Sequence, residues 1–179
     1  MKDLLITHPD PGDAQQICEL YGATWLATYP NEKYGITTAD LQEKLKEMTS
    51  PERVARFENY ILLVKLNAAR YFRVAKIGKQ VVGVCGAVDM GDTVYIASLY
   101  VLPDQQGVGV GSRLMDSLLE WIGSNKSVKL HVVTYNQKAI SFYEKWGFSA
   151  TGKRLTTARH TMPSGNSLPE IEMERNSKE

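Results

Sequence analysis

The stretch Ile96-Ala97-Ser98-Leu99-Tyr100-Val101-Leu102-Pro103-Asp104-Gln105-Gln106-Gly107-Val108-Gly109-Val110-Gly111-Ser112-Arg113-Leu114 decides the fold. It reads as a strand, a glycine-rich turn and the first residues of a helix. Such a turn aims several backbone N–H groups at one point, and the helix dipole adds about half a positive charge there. Glycine suits it because a Cβ blocks close approach of an anion and because some N–H directions need positive φ. The implied ligand is a phosphate or pyrophosphate. A P-loop is excluded, since the sixth position from Gly107 is Ser112 and no Lys-Ser/Thr pair follows. A dinucleotide GxGxxG is excluded as well. Counting from Gly107 ends on Ser112, and counting from Gly109 ends on Leu114. What fits is Q-x-x-G-x-G, filled by Gln106, Gly109 and Gly111. By itself the pattern also fits a turn whose glycines only permit tight packing.

The flanking sequence supplies a context. Before the turn, Tyr71–Ile77, Gln80–Asp89 and Thr93–Val101 are β-rich and separated by Gly78-Lys79 and Met90-Gly91-Asp92, which predicts an antiparallel meander. After it, Val110, Leu114, Leu118 and Ile122 lie on one face of a helix. Val128–Thr134 reads as a buried strand, and Asn136–Trp146 as a short helix stopped by Gly147. Upstream, Leu4-Leu5-Ile6 predicts a first strand. Ile17, Leu20, Tyr21, Thr24 and Trp25 mark a helix ended by Pro30-Asn31. Thr37-Thr38-Ala39-Asp40 resembles a capping box with Asp in the last place, and Ser50-Pro51 opens a helix to about Leu66. Ser149–Leu155 and Leu168–Glu174 are expected as a last pair of strands, joined by a long polar loop.

A second motif stands further on: Val132-Val133-Thr134-Tyr135-Asn136-Gln137-Lys138-Ala139-Ile140-Ser141-Phe142-Tyr143-Glu144-Lys145-Trp146-Gly147-Phe148. With the Gln106–Gly111 turn it resembles, in order and separation, the two signatures of the GCN5-related N-acetyltransferase (GNAT) superfamily. The resemblance is dense from Tyr71 to Phe148. It implies an α/β (α+β) fold, a mixed and mostly antiparallel central sheet with splayed parallel strands, flanked by helices. It implies acetyl-CoA as co-substrate, lying in the splay. The amides of Gly107, Val108, Gly109, Val110, Gly111 and Ser112 would hold its pyrophosphate beside Gln106. Leu99, Tyr100 and Val101 would bond its pantetheine arm like an added strand. One N–H at a bulge near Tyr100 or Val101 would polarise the thioester carbonyl. Asn136 and Ala139 would border the arm, Asn136 equally serving as a helix N-cap.

The chemistry needs a neutral amine and a proton for the leaving thiolate. A lysine-like amine has a pKa of about 10.4, so it arrives charged and must be stripped. By resemblance Tyr143 donates to the sulfur. The base stays open between His131, Asp89 and water. His131 stands where some relatives carry Glu, and an imidazole accepts protons near neutrality. Tyr29, Glu32 and Tyr34 are the candidate acceptor contacts; Trp25 reads as core. The activity implied is acetyl transfer to a primary amine of a small molecule or peptide, a protein N-terminus included. The competing function is an acyl-CoA-binding sensor that lost turnover, and Tyr143 with an available base favours the enzyme.

Composition sets the remaining expectations. The 179 residues, 43% hydrophobic and with formal net charge +1, suit one domain over 1–179 and argue against disorder and a strongly basic nucleic-acid binder. Cys18 and Cys85 make no disulfide scaffold and His8, His131 and His160 show no zinc spacing, so no metal is expected. No apolar run of ~18 residues predicts a membrane span, and the N-terminus lacks a signal-like apolar segment, which reads as cytoplasmic. Homodimers are common in the superfamily, and the oligomeric state is left open.

Overall fold

The computed structural model describes residues 3–177; the side chains at 157–159, Arg159 among them, lie outside that description. Among the described residues seven strands form one sheet: β1 (Leu4–Thr7), β2 (Arg70–Ile77), β3 (Gln80–Asp89), β4 (Thr93–Val101), β5 (Ser127–Val133), β6 (Ser149–Thr161) and β7 (Ser167–Arg175). Their order is β1-β2-β3-β4-β5-β7-β6. Every neighbouring pair is antiparallel except β4 and β5. The α-helices of the described residues that cover it are α1 (Ala14–Thr28), α2 (Thr38–Met48), α3 (Pro51–Lys65), α4 (Val110–Ile122) and α5 (Gln137–Lys145). None among the described residues is long and apolar enough to cross a membrane.

Periodicity explains the layers. On α4, Val110, Leu114, Met115, Leu118 and Ile122 are buried against the meander, with Tyr143 and Phe148 in the same core. Each such side chain contributes about 1.5–3 kcal/mol on leaving water. On the opposite face, Ile17 and Leu20 of α1 and Ile61 and Val64 of α3 pack on Phe72, Val74 and Val84. Trp25 is core, as its helical spacing predicts. It joins Tyr29, Ile36, Leu41, Met162 and Leu168 in a third cluster under the end of the sheet.

Two features of the meander and the last hairpin differ from expectation. The bulge in β4 falls at Ala97, because Gly86 pairs with Ser98 while Ala87 pairs with Ile96. It does not fall at Tyr100 or Val101, whose pairing with Val84 and Gly83 is regular. The last hairpin also has no long loop: β6 runs on to Thr161. Two register shifts, between Ala150 and Arg154 and between Thr156 and Thr161, absorb the polar residues that read locally as loop. The buried side chains of Met162 and Leu168 pin the turn into the third cluster.

That turn is tied to the start of α2. Thr37 and Asp40 form the capping box, Thr37 Oγ1 accepting from Asp40 N at 3.0 Å. The second carboxylate oxygen accepts from Ser164 N at 3.1 Å. Asn166 donates to the Gly35 carbonyl at 2.9 Å, and a Cβ on Gly35 would meet its amide at 2.7 Å. The Thr37 hydroxyl, aided by Ser164, holds the Asp40 carboxyl below its usual range. A depressed carboxyl stabilises the fold above its unfolded pKa and loses that contribution as pH falls through the folded value. Asp40→Asn is therefore expected to lower the Tm at pH 6. The deficit should close as the pH drops below ~3.9. Thermal melts across that range check it.

Candidate active site

The site begins where two strands part. β4 and β5 pair only over Thr93–Ile96 with Ser127–Leu130. Beyond Ile96 the strands diverge, while β4 stays bonded to β3 and β5 to β7. The resulting cleft encloses about 1230 Å³ and carries Leu99 and Val101 on one wall and His131 and Val133 on the other.

Alternation along β4 decides which amides face it. Leu102 N donates to Val82 O at 2.9 Å, so this residue turns its backbone to β3. Tyr100, two residues back, does the same, and Leu99 and Val101 turn theirs outward. The Val101 carbonyl confirms the direction by accepting from Gln106 Nε2 at 3.1 Å. The expected added-strand role therefore narrows to Leu99 and Val101. Tyr100 contributes its side chain to the cleft instead, set edge-on to Tyr21 at 5.2 Å.

The glycine turn caps the open end. Gly107 (φ 78°) and Gly109 (φ 95°) are left-handed, and Gly109 is the N-cap of α4 with no side-chain cap on the helix. The first amides of α4 thus have no side-chain cap among the described residues. Gln106, Gly107, Gly109, Gly111 and Ser112 line the cleft. Val110 is buried in the core and Val108 is half exposed outside the lining, so both can offer only backbone. Gln106 spends its side-chain amide in tying the turn to β4.

α5 closes the floor. Asn136 Oδ1 accepts from Ala139 N at 3.2 Å and is the N-cap, which leaves the Nδ2 group for the cleft it lines. Tyr143 also lines the cleft; it is buried, and burial pushes its phenol far above the ordinary value. His131 sits on the other wall with its ring edge-on to Tyr95 at 5.1 Å and Nε2 3.8 Å from Glu172. Burial pushes the Glu172 carboxyl up, but Lys153 and Thr151 outweigh it and hold it below its usual range. Asp89 lies outside the cleft. Lys126 and the Gly91 amide engage it and hold its carboxyl below the usual range. Cys18 and Cys85 are buried, and burial raises both thiols away from nucleophilic use.

The three expected acceptor contacts separate. Tyr29 is in the wall, its phenol raised by burial. Glu32 is exposed and outside the lining. Tyr34 is one layer behind, stacked at 5.3 Å on Tyr135. Burial pushes the Tyr135 phenol up to about 12, and its hydroxyl donates to the Tyr29 carbonyl at 2.8 Å. Sequence reasoning missed Tyr95 and Glu170 and read His160 of the final hairpin as a solvated residue, not a site; all three are in the wall. The alternation Glu170, Glu172, Glu174 along β7 was the available signal for a charged inner face.

Comparisons with known proteins agree with this architecture. The acetyltransferase PaiA of Thermoplasma acidophilum, solved with coenzyme A, superposes with a TM-score of 0.71 at 19% identity, covering 97% of this chain and 98% of that one. A ribosomal-protein-S5-alanine acetyltransferase of Vibrio fischeri gives 0.73 at 10% identity, covering 100% and 96%. N-alpha-acetyltransferase 60 of Danio rerio is 44% identical over 59 residues, 30% of this chain and 24% of that protein. An uncharacterized Mycobacterium leprae protein is 29% identical over 120 residues, 65% of this chain and 32% of that one. The chain thus spans a third or less of these two sequence relatives. The model of the acetyltransferase (GNAT) family matches residues 15–148, most of the sheet and both signature turns, and the chain belongs to that family.

Proposed function

We propose that the protein transfers the acetyl group of acetyl-CoA to a primary amine by direct attack in a ternary complex. The observation that carries this reading is the cleft where β4 and β5 separate, bordered by the uncapped start of α4 and floored by Tyr143. Left-handed Gly109, open space around Gly107 and the outward amides of Leu99 and Val101 fit a diphosphate followed by an extended amide arm. Bound there, the thioester supplies an activated acyl group. The Leu99 amide, two residues past the bulge, is the donor for the carbonyl oxygen. His131 takes the proton that the amine loses as its nitrogen bonds the acyl carbon and the C–S bond breaks. Tyr143 donates a hydrogen bond to the departing sulfur, which leaves as the thiolate and then takes up a proton from solvent, while the imidazolium of His131 returns its proton to solvent.

The test is release of free thiol from acetyl-CoA across a panel of alkylamines, amino acids and peptides with free N-termini. Peptides belong in it because of the likeness to N-alpha-acetyltransferase 60. Coenzyme binding without thiol release from any amine would make the protein a binding module instead. His131→Gln is expected to lower turnover about 10²-fold and to remove the acid limb that an imidazole base imposes on the pH–rate profile. An unchanged profile places the base elsewhere.

A further inference from the structure

His131 lines the cleft, but Glu172, its register partner on β7, is buried outside the lining. His131 Nε2 lies 3.8 Å from Glu172 Oε2. The carboxylate is itself held from β6. Thr151 Oγ1 donates to Oε1 at 3.2 Å, and Lys153 Nζ donates to Oε2 at 3.3 Å. On the β4 side the Tyr95 ring meets the imidazole edge-on at 5.1 Å. The imidazole is thus gripped between an aromatic ring and a fixed carboxylate. Its Nδ1 makes no hydrogen bond to a described residue. On either side along the same face, Lys129 meets Glu174 at 3.6 Å and Glu170 meets His160 Nδ1 at 2.8 Å.

Which ring nitrogen is basic depends on what the other one touches. A carboxylate at Nε2 favours the proton there, and the lone pair then falls on Nδ1. The same carboxylate favours the charged ring that forms when an amine gives up its proton. The contact is longer than a hydrogen bond in the resting site and tightens as the ring gains charge. Glu172 stays ionised throughout. Burial pushes its carboxyl up, but Lys153 and Thr151 outweigh that and hold it below the usual range. The proton therefore stops on the imidazole. Lys153 acts on the ring in the opposite sense, because it shares Oε2 with Nε2 and is itself a cation. It is exposed, so solvent and salt screen its share.

We infer that Glu172 is a positioning residue for the reaction: it keeps the proton of neutral His131 on Nε2 and leaves Nδ1 to receive the proton of the amine, with Lys153 limiting its hold. This rests on the reading of His131 as the base, but the state of the ring can be followed without turnover. NMR of protein labelled at its histidine nitrogens, with the His131 signals assigned by their loss in His131→Gln, is expected to show a proton on Nε2 and none on Nδ1 in the neutral ring. The midpoint of its titration should move to lower pH in Glu172→Gln, which leaves Lys153 unopposed. It should move to higher pH in Lys153→Met, which leaves Glu172 to the imidazole alone. The acid limb of thiol release should follow in both directions. In Glu172→Gln kcat should also fall about tenfold while KM for acetyl-CoA holds. Dispersed amide spectra are the folding control, and Lys153→Met, at an exposed position, decides if Glu172→Gln fails it. Midpoints that stay put or move the same way in both variants overturn the proposal, as does a wild-type ring with its proton on Nδ1. An acid limb lost in His131→Gln but unmoved in the other two sinks the proposal alone. A limb that survives His131→Gln sinks the base reading, and the role of Glu172 with it.

Discussion

Replacing Gly109 with alanine is expected to weaken coenzyme A binding tenfold or more while the protein stays folded. Gly109 has φ 95° and ψ 0°, and its carbonyl accepts the first bond of α4 from Arg113 N at 3.1 Å. A residue with a Cβ pays about 1–3 kcal/mol to stay there. If the strain is kept, the Tm falls by roughly 2–4 °C per kcal/mol for a chain of this size. If it is released, the peptide planes around Gly109 rotate and their amides no longer converge. Ligand affinity is lost in the second case because convergence of several donors, not any one of them, makes the anion site. Gly111, two residues on in the same motif, should behave differently. Its φ is not positive, and a Cβ there would touch the Phe142 ring at 3.5 Å, an ordinary contact. Gly111→Ala should therefore cost far less affinity. Calorimetry with coenzyme A on both variants, beside their melts, is decisive. Wild-type affinity in Gly109→Ala, or a larger loss in Gly111→Ala, would remove the turn from cofactor binding.

The same contrast shows what sequence can and cannot carry. Local rules were enough for the strand, turn and helix around Gln106–Gly111 and for the Asn136 cap, because each depends on residues within a few positions. They were enough for the meander, where turns at Gly78 and Gly91 set the register. They misplaced the β4 bulge, which depends on how Ala97 is accommodated opposite Gly86 and Ala87 of another strand. That single residue decides which amides face the cleft, so Tyr100 looked equivalent to Leu99 and Val101 when it is not. The acceptor end was hardest. His160 reaches Glu170 only because two irregularities lengthen β6, and no local pattern encodes a pairing across a shifted hairpin. Glu32 drew notice as a charge near aromatic residues, yet it projects to solvent. The half of the cleft built by short-range signals was legible; the half built by long-range register was not.

Tyr143→Phe tests the chemistry at the legible end, and it is expected to lower turnover about 10²-fold or more with little change in stability or coenzyme affinity. The phenol ring packs on Phe142 and Phe148, which phenylalanine reproduces. The hydroxyl makes no hydrogen bond to a described residue, so its loss strands no partner. Burial raises the phenol so far that it stays protonated across the whole working range. Two consequences follow. The group acts by presenting its proton to the sulfur as negative charge develops there, a contact absent from the ground state, so kcat falls and KM for acetyl-CoA holds. And because Tyr143 does not titrate near neutrality, its removal lowers the pH–rate profile without deleting a limb, unlike the loss of an imidazole base. Steady-state kinetics from pH 6 to 9 separate these cases. Unchanged kcat would leave Tyr143 as a packing residue. A lost basic limb would mean that the phenol ionises in the reaction, against the burial that holds it neutral.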